Sequence, residues 1–211
     1  MAFWDDSHGV ALGDPVNGQF QLIATDDGGA NWKRSAAINL PPALPNEAFA
    51  ASGTCFVTQG QQDVWFSTGG AKTARTFHST DRGRNWTVAD TPVLAGTESA
   101  GIFSIAFRDR EHGMIVGGDY RKPNDDGPNA AITADSGKTW TSPQKTVRVL
   151  LGCRVGKRPL DRGRNVGFRF VSRQRRDLVG ARPRELQQRR IHSDRYRLGA
   201  GPKDRIAKLA N

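Results

Sequence analysis

The stretch Thr25-Asp26-Asp27-Gly28-Gly29-Ala30-Asn31-Trp32 carries a pattern that occurs three times in the chain. Residues 79–86 (STDRGRNW) and 133–140 (TADSGKTW) repeat it, so every copy reads Ser/Thr-x-Asp-x-Gly-x-x-Trp. Successive copies lie 54 residues apart. Recurrence at one fixed interval indicates an internal structural repeat. We call the three copies repeat turns 1, 2 and 3.

The residue types of the pattern suit a tight turn between two β-strands. An Asp carboxylate can accept hydrogen bonds from the backbone N–H groups of a turn, and the Gly two positions later can adopt a positive φ. The Trp begins the returning strand, where its ring can pack over the turn. We therefore expect structural rather than catalytic roles for Thr25, Asp27, Gly29, Trp32, Ser79, Asp81, Gly83, Trp86, Thr133, Asp135, Gly137 and Trp140.

Short strand-like segments surround each repeat turn, such as Gln19–Ala24 in the first repeat and Val64–Thr68 in the second. Each repeat holds four such segments, and no sustained helical period occurs before residue 145. Four strands in each repeat of this length predict an all-β fold, a partial β-propeller of four-stranded antiparallel blades. We place three blades at about residues 2–37, 53–91 and 102–145. A stack of unrelated hairpins is the alternative.

The repeat turns resemble the Asp-box, or BNR, repeat of sialidases and related propellers. Longer stretches, among them Phe3-Trp4-Asp5, Leu12-Gly13-Asp14-Pro15 and Gly117-Gly118-Asp119-Tyr120, resemble bacterial propellers related to the photosystem II assembly factor Ycf48/HCF136. The resemblance covers about residues 2–144. It implies a ring of about seven blades, an export signal with a periplasmic or extracellular location, and a function in binding or assembling proteins.

The start of the chain falls inside a blade, because Ala2-Phe3 aligns with Ala106-Phe107 of the third repeat. We expect from this that earlier blades and an export signal precede residue 1 in the parent protein. Three blades are also fewer than the four to eight that usually close a propeller. The expectation is therefore a truncated, non-functional fragment of a propeller.

Charge divides the 211 residues into two parts. Residues 1–144 hold 11 Lys and Arg against 16 Asp and Glu, a net charge of −5, whereas residues 145–211 have a net charge of +15. Within that basic part, the Arg-rich segment 146–198 follows the blade region 1–145 without helical or strand periodicity. We predict that it is disordered or poorly packed. Residues 199–211 resemble the last propeller strand of the family.

Three explanations account for the Arg-rich segment: a nucleic-acid-binding arm, a disordered cationic tail, or coding sequence read out of frame. A one-base shift allows residues 171–179 to read Ser-x-Asp-Asn-Gly-Ala-Thr-Trp, a fourth copy of the repeat turn. The frameshift is therefore favoured, and nucleic-acid binding is not expected.

Other kinds of site have little support in the sequence. Cys55 and Cys153 form no zinc-binding spacing, and no GxGxxG opens a helix, so we predict neither a metal site nor a cofactor. No apolar run approaches the roughly 18 residues of a membrane span. A sialidase requires clustered Arg residues and a Tyr nucleophile, but Tyr120 is the one Tyr before residue 145. His8 and His112 stand at equivalent repeat positions, where turn roles are expected.

Binding of another molecule at the surface is the remaining function. Propellers present partner-binding side chains in loops and at strand ends. We predict a non-enzymatic scaffold that binds an unidentified protein on a propeller face. The alternatives are a sialidase-like glycan-processing or glycan-binding propeller, and nucleic-acid binding through the basic tail. The candidate partner-binding residues are Arg75, Asp119, Tyr120, Arg121 and Lys122.

Overall fold

The computed structural model describes residues 1–48 and 54–143 with their side chains, and the backbone of four further short strands. The chain divides into two compact units, Met1–Ser172 and Arg173–Asn211. The described residues form strands, turns and loops. They contain no helix that is long and apolar enough to cross a membrane.

Blade 1 is a four-stranded antiparallel sheet in the order β1-β2-β3-β4. Its strands are β1 (Ala2–Phe3), β2 (Gly9–Val16), β3 (Gln19–Thr25) and β4 (Lys33–Arg34). Strands that are consecutive in the chain are neighbours in the sheet, because short turns connect antiparallel strands directly.

Blade 2 has the same order, β5-β6-β7-β8. Its strands are β5 (Phe56–Gln59), β6 (Asp63–Ser67), β7 (Arg75–Ser79) and β8 (Thr87–Asp90). Every residue of β6 and β7 is buried, whereas the outer strand β8 is largely exposed. The two middle strands of this blade are therefore covered on both faces.

Blade 3 contains β9 (Ala100–Phe107), β10 (Gly113–Asp119) and β11 (Ala130–Thr133). Beyond repeat turn 3, the backbones of Ile132 and Thr141 exchange two N–H···O hydrogen bonds of 2.9 Å, an isolated bridge at the position where β4 and β8 begin in the other two blades. The prediction of an all-β fold with about three antiparallel propeller blades is thus confirmed.

Four strands beyond residue 143 are described by their backbone. β12 (Cys153–Gly156) pairs with β13 (Gly167–Phe170), and β14 (Leu198–Gly201) pairs with β15 (Arg205–Lys208), both antiparallel. Strands β12 and β13 lie within segment 146–198, for which the sequence predicts a disordered or poorly packed chain. Both alternate apolar residues with Arg, a two-residue period too short to stand out in the sequence. The frameshift and the nucleic-acid arm concern residues that lie mostly outside the described part.

Successive side chains of a strand point to opposite sides, so each blade has two faces. We call the face turned towards the next blade along the chain the forward face, and the opposite one the backward face. In blade 2, Trp65 lies on the forward face and packs with blade 3, whereas Phe66 and Phe77 lie on the backward face and pack with blade 1.

Two clusters of apolar side chains lie between neighbouring blades. Burial of each large apolar side chain in them stabilises the fold by roughly 1.5–3 kcal/mol. Between blades 1 and 2 the cluster consists of Val10, Phe20, Leu22, Phe56, Val64, Phe66, Phe77 and Trp86. Between blades 2 and 3 it consists of Trp65, Ala74, Val93, Ile102, Ile105, Phe107, Ile115, Ala131 and Trp140. Each Trp of repeat turns 2 and 3 thus lies between its own blade and the preceding one.

Backbones approach closely where the end of β6 meets the start of β9. Gly69 pairs with Gly101 in an antiparallel bridge, and the Gly70 N–H donates to the carbonyl oxygen of Ala100 (2.9 Å). A Cβ on Gly101 would overlap the Cα of Gly69, so only glycine permits this contact. The contact fixes the end of blade 3 that carries residues 119–122.

Candidate functional site

The three repeat turns share one hydrogen-bond pattern. In repeat turn 2, the Ser79 hydroxyl donates to Asp81 Oδ1 (2.8 Å) and accepts from the Gly83 N–H (2.9 Å). Asn85 donates to both Asp81 oxygens, from its backbone N (2.8 Å) and from Nδ2 (2.6 Å). The equivalent bonds are made by Thr25, Asp27, Gly29 and Asn31 and by Thr133, Asp135, Gly137 and Thr139.

Both oxygens of each carboxylate accept hydrogen bonds within their own turn, which favours the charged form. Hydrogen bonds from the backbone and side chain of Asn31 lower the pKa of Asp27 to about 2. Burial raises the pKa of Asp81 and Asp135, but the turn hydrogen bonds outweigh it, so both pKa values are lowered. Carboxylates with such low pKa values hold no proton to donate near neutral pH.

The glycine of each repeat turn has a backbone conformation that other residues rarely adopt. The φ angles of Gly29, Gly83 and Gly137 are 90°, 85° and 85°. Their N–H groups point at the Ser or Thr hydroxyl that opens the turn. The requirement for positive φ explains why glycine recurs at this position.

The tryptophans of the repeat turns differ in their surroundings. Trp86 and Trp140 are 3% and 8% exposed, and each donates from Nε1 to the carbonyl oxygen of its turn glycine. Trp140 Nε1 also lies 2.8 Å from Thr76 Oγ1 of blade 2. Trp32 is only half-buried, and its Nε1 has no hydrogen-bond partner among the described residues. One turn pattern is therefore found in two kinds of environment.

Arg75 does not lie on the surface, so its prediction as an exposed partner-binding residue is wrong. Its Nε donates to Glu47 Oε1 (2.9 Å), and its Nη2 donates to Glu47 Oε2 and to the carbonyl oxygen of Pro42 (2.9 Å). Both charged side chains are buried. A buried charge requires a partner of opposite sign, and Glu47 supplies it from the linker between blades 1 and 2. Arg75 therefore fastens this linker to blade 2.

Asp119 is also buried, which corrects its prediction as a surface contact. Hydrogen bonds from the Ser99 side chain and from the Arg121 N–H (2.9 Å) lower the pKa of its carboxyl group. Its carbonyl oxygen accepts from the Lys122 N–H (2.9 Å). Asp119 thus holds the shape of the turn that follows β10.

The side chains of Tyr120, Arg121 and Lys122 are exposed on that turn, with Tyr120 54% exposed. The Tyr120 ring lies 6.3 Å from the ring of buried Phe103, at a tilt of 50°. The Arg121 guanidinium carbon lies 6.0 Å from the centre of the Tyr120 ring. The structure therefore brings three of the five candidate residues together as an aromatic and cationic patch, which we call the Tyr120 patch.

His8 and His112 lie in equivalent turns between the first two strands of blades 1 and 3. His8 Nδ1 lies 2.8 Å from Asp5 Oδ1, and His112 Nδ1 lies 2.9 Å from Asp109 Oδ1. The same Asp oxygens accept backbone N–H groups of these turns. Within the described residues, His, Cys, Asp and Glu form no group of three that could hold a metal ion.

Sequence reasoning missed a buried His–Asp pair of blade 2 and its contact with an exposed Arg of blade 3. His78 Nε2 lies 2.9 Å from Asp63 Oδ1, and Arg110 of blade 3 donates from Nε to the same oxygen (3.3 Å) and forms an ion pair with Oδ2 (3.1 Å). The His78 ring stacks on Trp65 at 4.2 Å, and burial lowers the pKa of His78 despite the Asp63 hydrogen bond. Alignment of the repeats could have drawn attention to Asp63, because it stands where blades 1 and 3 have His8 and His112.

No family model and no curated protein matches the chain. Among solved structures, similar chains include Ycf48 bound to D1 peptide, with 23% identity, a TM-score of 0.45, and coverage of 72% of this chain and 41% of that one. The NanB sialidase of Streptococcus pneumoniae is similar over 58% of this chain and 19% of its own, with 18% identity and a TM-score of 0.37. NanB with Optactamide gives 19% identity, a TM-score of 0.36 and the same coverage. The chain thus spans less than half of each of these structures.

Proposed function

We propose that the chain is a non-enzymatic propeller scaffold that binds another protein, and that the Tyr120 patch is part of the binding surface. The observation that carries this proposal is the contrast within one turn: buried Asp119 fixes the backbone, while Tyr120 and Arg121 extend into solvent. Tyr and Arg are enriched in protein interfaces and among the residues that dominate binding energy. A turn that is already fixed loses little conformational entropy on binding.

The arrangement of the repeat turns supports a non-enzymatic role. In our proposal the three turns are Asp-boxes that close the outer hairpin of each blade. Most glycoside hydrolases need two carboxyl groups that are available to substrate, one of them with a raised pKa, whereas a sialidase uses a Tyr nucleophile. Asp27, Asp81 and Asp135 instead have lowered pKa values and accept hydrogen bonds within their own turns. No observation on the described residues favours the sialidase-like alternative.

Peptide binding tests the proposal directly. The D1 peptide that accompanies Ycf48 is one probe, and a phage-displayed library of random peptides on the immobilised full chain is an unbiased second one. We expect selected peptides to lose at least about tenfold in affinity, or about 1.4 kcal/mol, for the double variant Tyr120→Ala/Arg121→Ala. The control is Arg34→Ala, which removes an exposed Arg from the outer strand of blade 1. Equal affinity for the wild type and both variants would exclude the Tyr120 patch.

A further inference from the structure

The linker between blades 1 and 2 contains a proline-rich segment, Leu40-Pro41-Pro42-Ala43-Leu44-Pro45, which we call the proline strap. Its last four residues have the spacing Pro-x-x-Pro. Each proline fixes its own φ at about −65° and disfavours the helical conformation in the residue before it. Such a sequence favours the polyproline II helix, an extended left-handed helix with three residues in each turn.

Burial along the proline strap follows this period of three. Leu40 and Ala43 pack against the apolar cluster between blades 1 and 2. Pro42 and Pro45, which are also three residues apart, are exposed. In a helix with three residues per turn, residues i and i+3 lie on the same side. One side of the proline strap is therefore fastened to the protein, and its Pro-x-x-Pro side is presented to solvent.

Hydrogen bonds to the rest of the chain hold the backbone of the proline strap. The Ala43 N–H donates to the carbonyl oxygen of Gly18 in the hairpin turn of blade 1 (2.9 Å). The Leu44 N–H donates to Glu47 Oε2 (2.7 Å), and Glu47 is in turn paired with the buried Arg75. A polyproline II helix makes no internal hydrogen bonds, so such outside contacts determine how well the segment is ordered. A segment that is ordered beforehand loses little conformational entropy on binding.

We propose that the proline strap binds a protein domain whose groove is lined with aromatic side chains, of the kind found in SH3 and WW domains. Such grooves accept Pro-x-x-Pro segments in the polyproline II conformation. The proline strap supplies both features that these grooves recognise, the spacing of its exposed prolines and a conformation that is set before binding. This surface is separate from the Tyr120 patch of blade 3, and its test does not depend on that patch.

Binding of a panel of purified SH3 and WW domains to the immobilised full chain tests the proposal. A labelled proline-rich peptide establishes that each domain is active. We expect at least one domain to bind, and to lose at least about tenfold in affinity for the double variant Pro42→Ala/Pro45→Ala. Pro123→Ala/Pro128→Ala is the matched control, because both of these prolines are exposed in the loop between β10 and β11.

A second control replaces the groove tryptophan of the bound domain by alanine. This change should abolish binding, and it separates recognition by the groove from attraction between charges on the domain and the Arg-rich segment. The Tyr120→Ala/Arg121→Ala variant should bind the domain as the wild type does, which keeps this test apart from that of the Tyr120 patch.

The absence of binding by every active domain would overturn the proposal. So would binding that survives the loss of the groove tryptophan, or equal affinity for the wild type and the Pro42→Ala/Pro45→Ala variant. Circular dichroism of each variant establishes that it is folded. Should the double variant fail to fold, Pro45→Ala alone replaces it, and an unchanged affinity of that variant would then overturn the proposal.

Discussion

Blade 1 and blade 2 have the same strand order and the same hydrogen bonds in their repeat turns, yet their backward faces differ in coverage. In blade 2 this face packs on blade 1 through Phe66, Phe77 and Trp86. In blade 1 the equivalent side chains are smaller or half-buried. The difference shows that the hydrogen bonds of the turn are encoded in each repeat, whereas the burial of the side chains on a blade's face depends on the neighbouring blade. In repeat folds of this kind, stability is approximately a sum of repeat and nearest-neighbour terms.

The largest effect is expected from truncating the two tryptophans in turn. Trp86→Ala removes a ring that is 3% exposed and should lower the free energy of unfolding by about 3–5 kcal/mol. Trp32→Ala removes a half-buried ring and should cost well under half as much. Urea denaturation measures both. Equal losses for the two variants would remove the distinction between the blades.

Breaking the buried ion pair of the linker should have the next largest effect. Glu47→Gln leaves the Arg75 guanidinium buried without its counter-charge, which should destabilise the chain by about 3 kcal/mol. The control is Lys33→Ala, which removes an exposed ion pair with Asp26 (3.8 Å) and should change stability by less than about 0.5 kcal/mol. Thermal melting of both variants compares them. A Glu47→Gln variant as stable as the control would show that the linker is not held by this pair.

Mild acid should lower the stability of the chain through His78 of blade 2. The equivalent residues of blades 1 and 3, Ala24 and Ile132, have side chains that do not titrate. Burial lowers the folded-state pKa of His78, although Asp63 opposes this, while Arg110 and Lys138 act in the same direction as burial. The unfolded chain therefore takes up a proton first as the pH falls below about 6.5, and stability declines from there towards the folded-state pKa.

The His78→Gln variant is the control for this titration. It should abolish the part of the decline in stability that begins near pH 6.5, measured by urea denaturation at a series of pH values. A wild-type chain whose stability rises as the pH falls through this window would contradict the assignment of a neutral, buried His78.

The smallest effect should come from the repeat turns, and it should be the same in every blade. Asp81→Ala removes an acceptor of turn hydrogen bonds and should cost about 1 kcal/mol, as for the loss of a capping side chain. Asp27→Ala and Asp135→Ala remove the same set of bonds, so their melting temperatures should fall by the same amount. A clear ranking of the three variants by blade would mean that turn chemistry, too, depends on the neighbours.

The sequence predicts the parts of this fold that are repeated and local. The period of 54 residues and the Asp and Gly of each turn predict the blades because each turn makes its hydrogen bonds within about six residues. The same reasoning fails for Arg75, because its partner Glu47 lies 28 residues earlier in a linker without periodicity. It fails for Asp119 because the groups that donate hydrogen bonds to this carboxylate, the Ser99 side chain and the Arg121 N–H, lie outside the repeat pattern.

Hydrogen exchange of the tryptophan indole N–H groups, followed by NMR, tests most directly whether a neighbouring blade sets the stability of each repeat. Trp86 and Trp140 donate hydrogen bonds between blades or within covered turns, so their indole protons should exchange slowly and at similar rates. The Nε1 atom of Trp32 is buried but has no acceptor among the described residues, and its ring is only half-buried, so its proton should exchange at least about tenfold faster because fluctuations of a less covered blade need less free energy. Equal protection of the three indole protons would contradict the account.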